Sequence, residues 1–380
     1  METNKKIKIC HLISGDLWAG AEIQMYTLVN TLKRFPGINL SAIVLNDKML
    51  ATKLAETEVK TSIIDENKYG FFEILKKLKE LLINDQIDIL HTHRYKENIL
   101  GAIAKSGCRL KYLIQTVHGT VEHYKGFKKV KMNINLSLDR YFTKKYFDKI
   151  LTVSNDIRNQ YSKYIKDDKL VTVHNFIEPK SITITKSREL IKKELNIDLS
   201  CPVIGSAGRI TPVKGFEMFL KMAKLILEQY PQTVFLIVGE GPTKNKLEDT
   251  AQKIGIAKSV KFVGFKQNIF DYINCFDIFV ISSLHEGVPM VALEAMALKK
   301  PLVSTNVGGM PEIIENNVSG ILVNLGDVSE LADACLRIMN NLELKSFIRN
   351  NALKRVNDLF SAKAQGQKML EIYKKGIKIV

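Results

Sequence analysis

Glu286 and Glu294 stand eight positions apart around a strand-to-helix turn, and two kinds of chemistry suit that spacing. A carboxylate pair can act as general acid and base, as in glycoside hydrolysis. It can also hold a polyhydroxylated ligand by accepting its hydroxyl protons. The apolar run Ile278-Phe279-Val280-Ile281 reads as a buried strand, and Ser282 and Ser283 end it. Pro289 is expected at the first position of a helix. The amides of Gly287 and Val288 then lie at a helix mouth, where an anion or sugar hydroxyls can be received. Glu294 sits among Val291, Leu293, Ala295 and Met296, and a carboxylate buried there needs a hydroxyl or a cation.

A second group supplies positive charge. In Gly205-Ser206-Ala207-Gly208-Arg209-Ile210-Thr211-Pro212-Val213-Lys214-Gly215, a strand ends in glycine, Arg209 and Lys214 follow, and Gly215 opens a helix. Glycine lets the backbone approach an anion, and a helix N-terminus favours negative charge. This mouth suits a diphosphate. The order GxxxxGK[ST] of a Walker A loop is absent. Gly239-Glu240-Gly241-Pro242, Val263-Gly264-Phe265 and Gly308-Gly309 follow other strands of the same half and face the same edge. With two cations beside them, the two glutamates read as ligand-holding groups with separate jobs.

The first half offers less. Trp18-Ala19-Gly20-Ala21-Glu22 is a small-residue loop into a helix, and Gly15 and Gly20 have the wrong spacing for a dinucleotide fingerprint. That argues against an NAD-linked dehydrogenase. His118 follows a strand and precedes Gly119, where a ligand-facing residue would sit. His91 and His93 have a similar position, but no third metal ligand is placed by the sequence, and no Asp-x-Asp pair occurs. No metal and no other cofactor is expected.

The elements that must position these residues alternate. In the first half strands are expected over 7–13, 40–45, 60–64, 87–91, 112–117, 150–153 and 170–174, with helices over 21–35, 71–83, 98–104 and 156–164. Residues 175–199 break the rhythm and read as an interdomain linker. Alternation resumes with strands over 203–207, 233–238, 260–263, 278–281, 302–305 and 320–323, and the tail from Leu342 is helical with a break near Phe360-Ser361. Short apolar strands alternating with helices indicate parallel sheets covered on both faces. The fold class is α/β, with two Rossmann-like domains facing across a cleft, and such domains bind ligands where strands end and helices begin.

Composition bounds the partners. Of 380 residues 46% are hydrophobic, enough for two cores, and the net charge is +16. The excess is concentrated in residues 94–149, which hold 13 Lys/Arg against 4 Asp/Glu. The stretch Tyr124-Lys125-Gly126-Phe127-Lys128-Lys129-Val130-Lys131 interleaves bases with aromatics, a pattern suited to an anionic membrane surface, each base contributing about 1 kcal/mol near lipid. Nucleic acid, which the same charge would attract, is not the expected partner. The five cysteines form no CxxC pair, so neither a zinc site nor a disulfide framework is expected. The N-terminus does not read as a signal peptide, and no apolar run of 18 residues occurs.

In their order and spacing, Gly208-Arg209 with Lys214-Gly215, Gly239-Glu240-Gly241-Pro242, Gly264, Glu286-Gly287 with Glu294-Ala295, and Gly308-Gly309 with Glu312 resemble the retaining glycosyltransferases of group 1, family 4, which have the GT-B fold. Ala19-Gly20-Ala21-Glu22 is similar to the family's Gly-Gly-Ala-Glu loop, with alanine in the first glycine position. Phe176 stands where the family usually has glycine. The resemblance implies an acceptor-side domain over 1–178 joined by a C-terminal helix over 362–380, and a donor-binding domain over 179–361. Arg209 and Lys214 would hold the donor diphosphate, Glu286 the donor sugar, and Glu294 the ribose. The amides of Gly287 and Val288 would lie near sugar and phosphate, and Gly20, Gly208, Gly241 and Gly264 would line the donor site. His118 would contact the transferred sugar. A nucleotide-sugar donor and a glycan or lipid-linked acceptor are the implied partners. The enzyme is expected in the cytoplasm, peripheral at the inner face of the membrane. A soluble transferase making a small glycoside, or a nucleotide-sugar binding protein without turnover, are the alternatives.

Overall fold

The computed structural model describes residues 6–119 and 127–378. The chain divides into two units, one of Met1–Phe176 with Ala362–Val380 and one of Ile177–Ser361. Each is built on a wholly parallel sheet.

The first sheet has seven strands: β1 (Ile7–Ile13), β2 (Ile38–Val44), β3 (Lys60–Ile63), β4 (Ile89–Thr92), β5 (Tyr112–Val117), β6 (Lys149–Thr152) and β7 (Leu170–Thr172). Their order is β3-β2-β1-β4-β5-β6-β7, so the order reverses between β1 and β4. Side chains alternate across a strand. Ile9 and Ile13 therefore join the core on one face, with the helix Gly20–Leu32 and with Met369 and Tyr373 of the C-terminal helix Ala362–Lys378. Cys10 and Leu12 join the core on the other face, with Leu78 and Leu82 of the helix Phe71–Asn84. His11, His91, Thr116 and His118 have the parity of Ile9, Ile89 and Ile114, which places them on the face that the C-terminal helix covers. That helix seats closely. A Cβ on Gly376 would come within 2.4 Å of the Tyr112 ring, and one on Gly366 within 2.6 Å of the Thr31 methyl.

The second sheet comprises β8 (Val203–Ala207), β9 (Val234–Val238), β10 (Val260–Gly264), β11 (Ile278–Ile281), β12 (Leu302–Thr305) and β13 (Ile321–Val323), in the order β10-β9-β8-β11-β12-β13. Its order reverses between β8 and β11. In open parallel sheets a ligand crevice forms at such a reversal, outside the carboxyl ends of the strands. Phe219, Phe235, Ile237 and Val280 are completely buried in the core beside it, each contributing about 2 kcal/mol.

Several expectations shift. The segment 175–199 is not a free linker. From Ile177 it belongs to the second unit, where the Thr185 amide donates to Asp271 at 2.7 Å and Arg188 forks onto Asp277 at 3.0 and 2.6 Å. The helices Met49–Ala55 and Phe127–Tyr146 were not expected. Pro289 is the N-cap, and the helix begins one residue later, at Met290–Ala297. The break in the tail separates the helices Leu342–Leu359 and Ala362–Lys378. In the basic stretch 124–131, residues 124–126 lie outside the described residues, and only the helical backbone of 127–131 is described. Among the described residues no helix is long and apolar enough to cross a membrane.

Candidate active site

The second unit brings Lys214 and Glu286 together. Lys214 lies in the short turn Pro212–Lys214 after β8, and Glu286 in the loop after β11, so the β8/β11 reversal makes them neighbours. The Lys214 ammonium donates to the Glu286 Oε1 at 2.6 Å, and the Ser283 hydroxyl donates to the same oxygen at 2.5 Å. Glu286 is 8% exposed. A small cavity at these strand ends is lined by Ser206, Ala207, Lys214, Ser282, Ser283 and Glu286.

Backbone contacts fix this corner. The Leu284 amide donates to the Val213 carbonyl at 2.7 Å, and the Gly309 amide donates to the Glu286 carbonyl at 2.9 Å. Gly308 has φ +52, and a Cβ there would fall 1.9 Å from the Glu286 carbonyl oxygen. Any side chain at position 308 would displace Glu286 itself. Gly241 is held as tightly, 2.2 Å from the Ile210 carbonyl oxygen by the same measure.

The other expected residues are distributed as follows. Gly208 follows β8, and its amide donates to the Val238 carbonyl at 2.9 Å. Arg209 beside it is exposed. Gly264 ends β10, and its carbonyl accepts from the Gly239 amide at 2.9 Å. Gly287 and the buried Val288 lie between Glu286 and the N-cap Pro289. Glu294 is in the following helix, 6% exposed, and among the described residues its carboxylate has no hydrogen bond or ion pair. Burial alone pushes its carboxyl up to about 7. An uncompensated carboxylate inside a fold is costly, and it is the signature of a group waiting for a hydroxyl or cationic partner.

In the first unit Gly20 begins the helix Gly20–Leu32, and a Cβ there would meet nothing within 4 Å, so no protein atom demands glycine. Glu22, in the first turn, accepts from Arg94 at 2.5 Å, and Arg94 also donates to Asp16 at 2.8 Å. Burial pushes the Glu22 carboxyl up to about 7 despite Arg94. His118 follows β5 with its Nε2 3.0 Å from the His93 Nδ1. It lines a second small cavity with Gln24, His93, Thr116, Asn175 and Phe176. Phe176 is completely buried, and its amide donates to the Gln24 Oε1 at 3.2 Å, so its ring is a core anchor that walls this cavity.

Sequence reasoning missed three residues of this unit. His11 completes a group with His91 and His93 whose nitrogens lie within 4.8 Å of one another. The third imidazole that the sequence did not place is therefore present. The rings are stacked, however, at 20° between His91 and His93 and 21° between His11 and His93. Lone pairs lie in the ring planes, so stacked imidazoles do not converge on one ion, and both His91 nitrogens already face hydroxyls. Arg94 and Tyr373 are the other two. The signal for His11 was a polar residue amid the apolar run from Ile9 to Ile13 of its strand.

Two family descriptions match consecutive halves of the chain: Glycosyltransferase Family 4 over residues 18–181, and Glycosyl transferases group 1 over residues 187–355. An Escherichia coli UDP-Gal:α-D-GlcNAc-diphosphoundecaprenol α-1,3-galactosyltransferase is 25% identical over 98% of this chain and 97% of its own. The N-acetyl-α-D-glucosaminyl L-malate synthase of Bacillus anthracis is 27% identical over 77% of this chain and 78% of its own. The crystal structure of Anabaena HepE in complex with UDP-glucose superposes with a TM-score of 0.85 at 19% identity, covering 97% of this chain and all of that one. With two parallel sheets reversing at β1/β4 and β8/β11, and these matches spanning both, the chain belongs to the group 1, family 4 glycosyltransferases of the GT-B fold.

Proposed function

We propose that this glycosyltransferase moves a sugar from a nucleoside diphosphate to a glycan or lipid-linked precursor of the cell envelope, with retention of anomeric configuration and without a metal ion. One observation carries the reading: the Lys214–Glu286–Ser283 cluster at the β8/β11 reversal, followed by a buried residue, Glu294, whose carboxylate has no hydrogen-bond partner among the described residues. Lys214 and Arg209 hold the diphosphate and stabilise the charge that grows on it as the glycosidic bond breaks. Lys214 is held by Glu286, and the donor exchanges that contact for its phosphate. Glu286 then turns to the donor sugar as an orienting group, with the amides of Gly287 and Val288 beside it. Glu294 accepts from the ribose hydroxyls, which supply the partner it lacks. Gly20, Gly208, Gly241 and Gly264 let backbone approach the donor, and His118 contacts the transferred sugar. The departing phosphate takes the acceptor's proton. The lipid-linked acceptor of the Escherichia coli relative and the basic excess in residues 94–149 support a membrane-proximal acceptor, and peripheral attachment in the cytoplasm follows from it.

Thermal shift across a panel of nucleotide sugars tests the donor half, since a bound donor stabilises by RT ln(1 + [L]/Kd). Turnover of the stabilising donor on polyprenyl-diphosphate-linked GlcNAc tests the acceptor half. Stabilisation by a donor with transfer to that acceptor supports the reading. A panel without any stabilising donor would overturn it.

A further inference from the structure

The first unit contains one continuous hydrogen-bonded chain of side chains. His118 Nε2 lies 3.0 Å from His93 Nδ1, and His93 Nε2 lies 3.0 Å from His11 Nδ1. His11 Nε2 lies 3.5 Å from the Tyr373 hydroxyl, which is 2.6 Å from His91 Nδ1. His91 Nε2 is 2.7 Å from the Thr116 hydroxyl. The chain starts at His118 and returns to β5 two residues away, at Thr116. His11, His91, His93 and Tyr373 are buried, and burial holds the His11 and His118 imidazoles down to about 3 and the other two well below the ordinary range. All four rings are neutral at physiological pH.

A neutral imidazole has one N–H and one bare nitrogen. Each bond therefore fixes the next, and only two arrangements satisfy the whole chain. In one, every histidine carries its proton on Nε2, and the Nδ1 of His118 is a bare acceptor. In the other, every histidine carries it on Nδ1, and the Nδ1 of His118 is a donor. Tyr373 decides between them. A phenol is a better donor than acceptor, so its proton belongs in the short contact to His91 and not in the long one to His11. That selects the first arrangement. The Nδ1 of His118 is buried and among the described residues has no partner of its own, beside the cavity that His118 lines.

We propose that His93, His11, Tyr373 and His91 are positioning residues that lock His118 as its Nε2–H tautomer, so that its Nδ1 accepts a hydroxyl proton of the sugar. The C-terminal helix thereby sets the hydrogen-bond polarity of the residue that follows β5 through Tyr373. This rests on the reading of His118 as a sugar contact, but the tautomer itself does not.

The test is long-range 1H–15N NMR of the 15N-histidine-labelled protein, which has seven histidines to assign. The expected spectrum of the free wild-type protein shows His11, His91, His93 and His118 neutral and protonated on Nε2, with 15N–15N coupling across the His118–His93 and His93–His11 contacts. Tyr373→Phe, checked for folding by circular dichroism, is expected to give a tautomer mixture at His118 and to lower kcat about tenfold at unchanged donor KM, as for loss of one hydrogen bond. His118 protonated on Nδ1, or cationic, in the wild-type spectrum would overturn the inference and leave the glycosyltransferase reading intact. So would stoichiometric zinc binding that moves the His11, His91 and His93 signals together. The wild-type spectrum decides even if Tyr373→Phe does not fold.

Discussion

Replacing Glu294 by glutamine separates stability from ligand binding. Its carboxyl titrates at about 7 in the fold against 4.5 for the free group, because burial penalises the charge and nothing repays it. Below pH 4.5 both folded and unfolded states are protonated, and the group costs nothing. Between 4.5 and about 7 the unfolded state ionises first, so stability falls as pH rises. Above that the full cost remains, about 2.5 pH units at 1.36 kcal/mol each, or about 3 kcal/mol. Glu294→Gln removes the charge and keeps the shape. The variant is therefore expected to resist urea better than wild type by about 2–3 kcal/mol at pH 8, with the advantage shrinking towards pH 5. The same change removes the charged acceptor proposed for the ribose, so affinity for the nucleoside diphosphate should fall about 10- to 100-fold. Urea unfolding at pH 5 and pH 8, with and without nucleotide, reads both effects. A variant no more stable than wild type at pH 8 and unchanged in nucleotide affinity would refute the reasoning.

Glu286→Ala leaves Lys214 without its 2.6 Å partner and removes the group proposed to orient the sugar, so kcat should fall about 100-fold or more in a donor–acceptor assay, while nucleotide affinity holds or rises. Asp277, bonded by Arg188 and the Val203 amide, is held down to about 2, so it stabilises the fold above the ordinary carboxyl range and that stability is lost as pH falls from about 4 to 2. Asp277→Asn should cost about 2 kcal/mol at pH 7 in urea unfolding and almost nothing near pH 2. Cosedimentation with vesicles containing anionic lipid should be strong at low salt and fade as salt rises, since the Debye length shrinks from about 30 to 8 Å between 0.01 and 0.15 M. Absence of binding at low salt would remove the membrane-surface reading of residues 94–149.

The cluster at the β8/β11 reversal was legible because its parts are local. Arg209 and Lys214 follow one strand, Glu286 and Glu294 lie in the loop and the helix after another, and glycine marks each close approach. The alternation of short apolar strands with helices gave both parallel sheets for the same reason. Long-range pairing was not legible. His11 pairs with Tyr373 across 362 positions, and nothing local in an apolar strand says which face its one imidazole meets. Arg94 reads as a surface base until Asp16 and Glu22 are seen on either side of it. The helix Phe127–Tyr146 carries so many charges that its periodicity was hidden, and segment 175–199 read as a linker because its anchors, Asp271 and Asp277, lie more than 80 positions away.

Lys214 and its neighbours at the β8/β11 reversal are proposed to hold a nucleoside diphosphate. Calorimetric titration of UDP, GDP, ADP, CDP and dTDP into wild type and Lys214→Ala, without added metal, tests it most directly. The expected result is one preferred nucleotide that binds wild type at one site and binds Lys214→Ala about 10- to 100-fold more weakly. Equal affinity in the two proteins, or no nucleotide bound by either, would contradict the account.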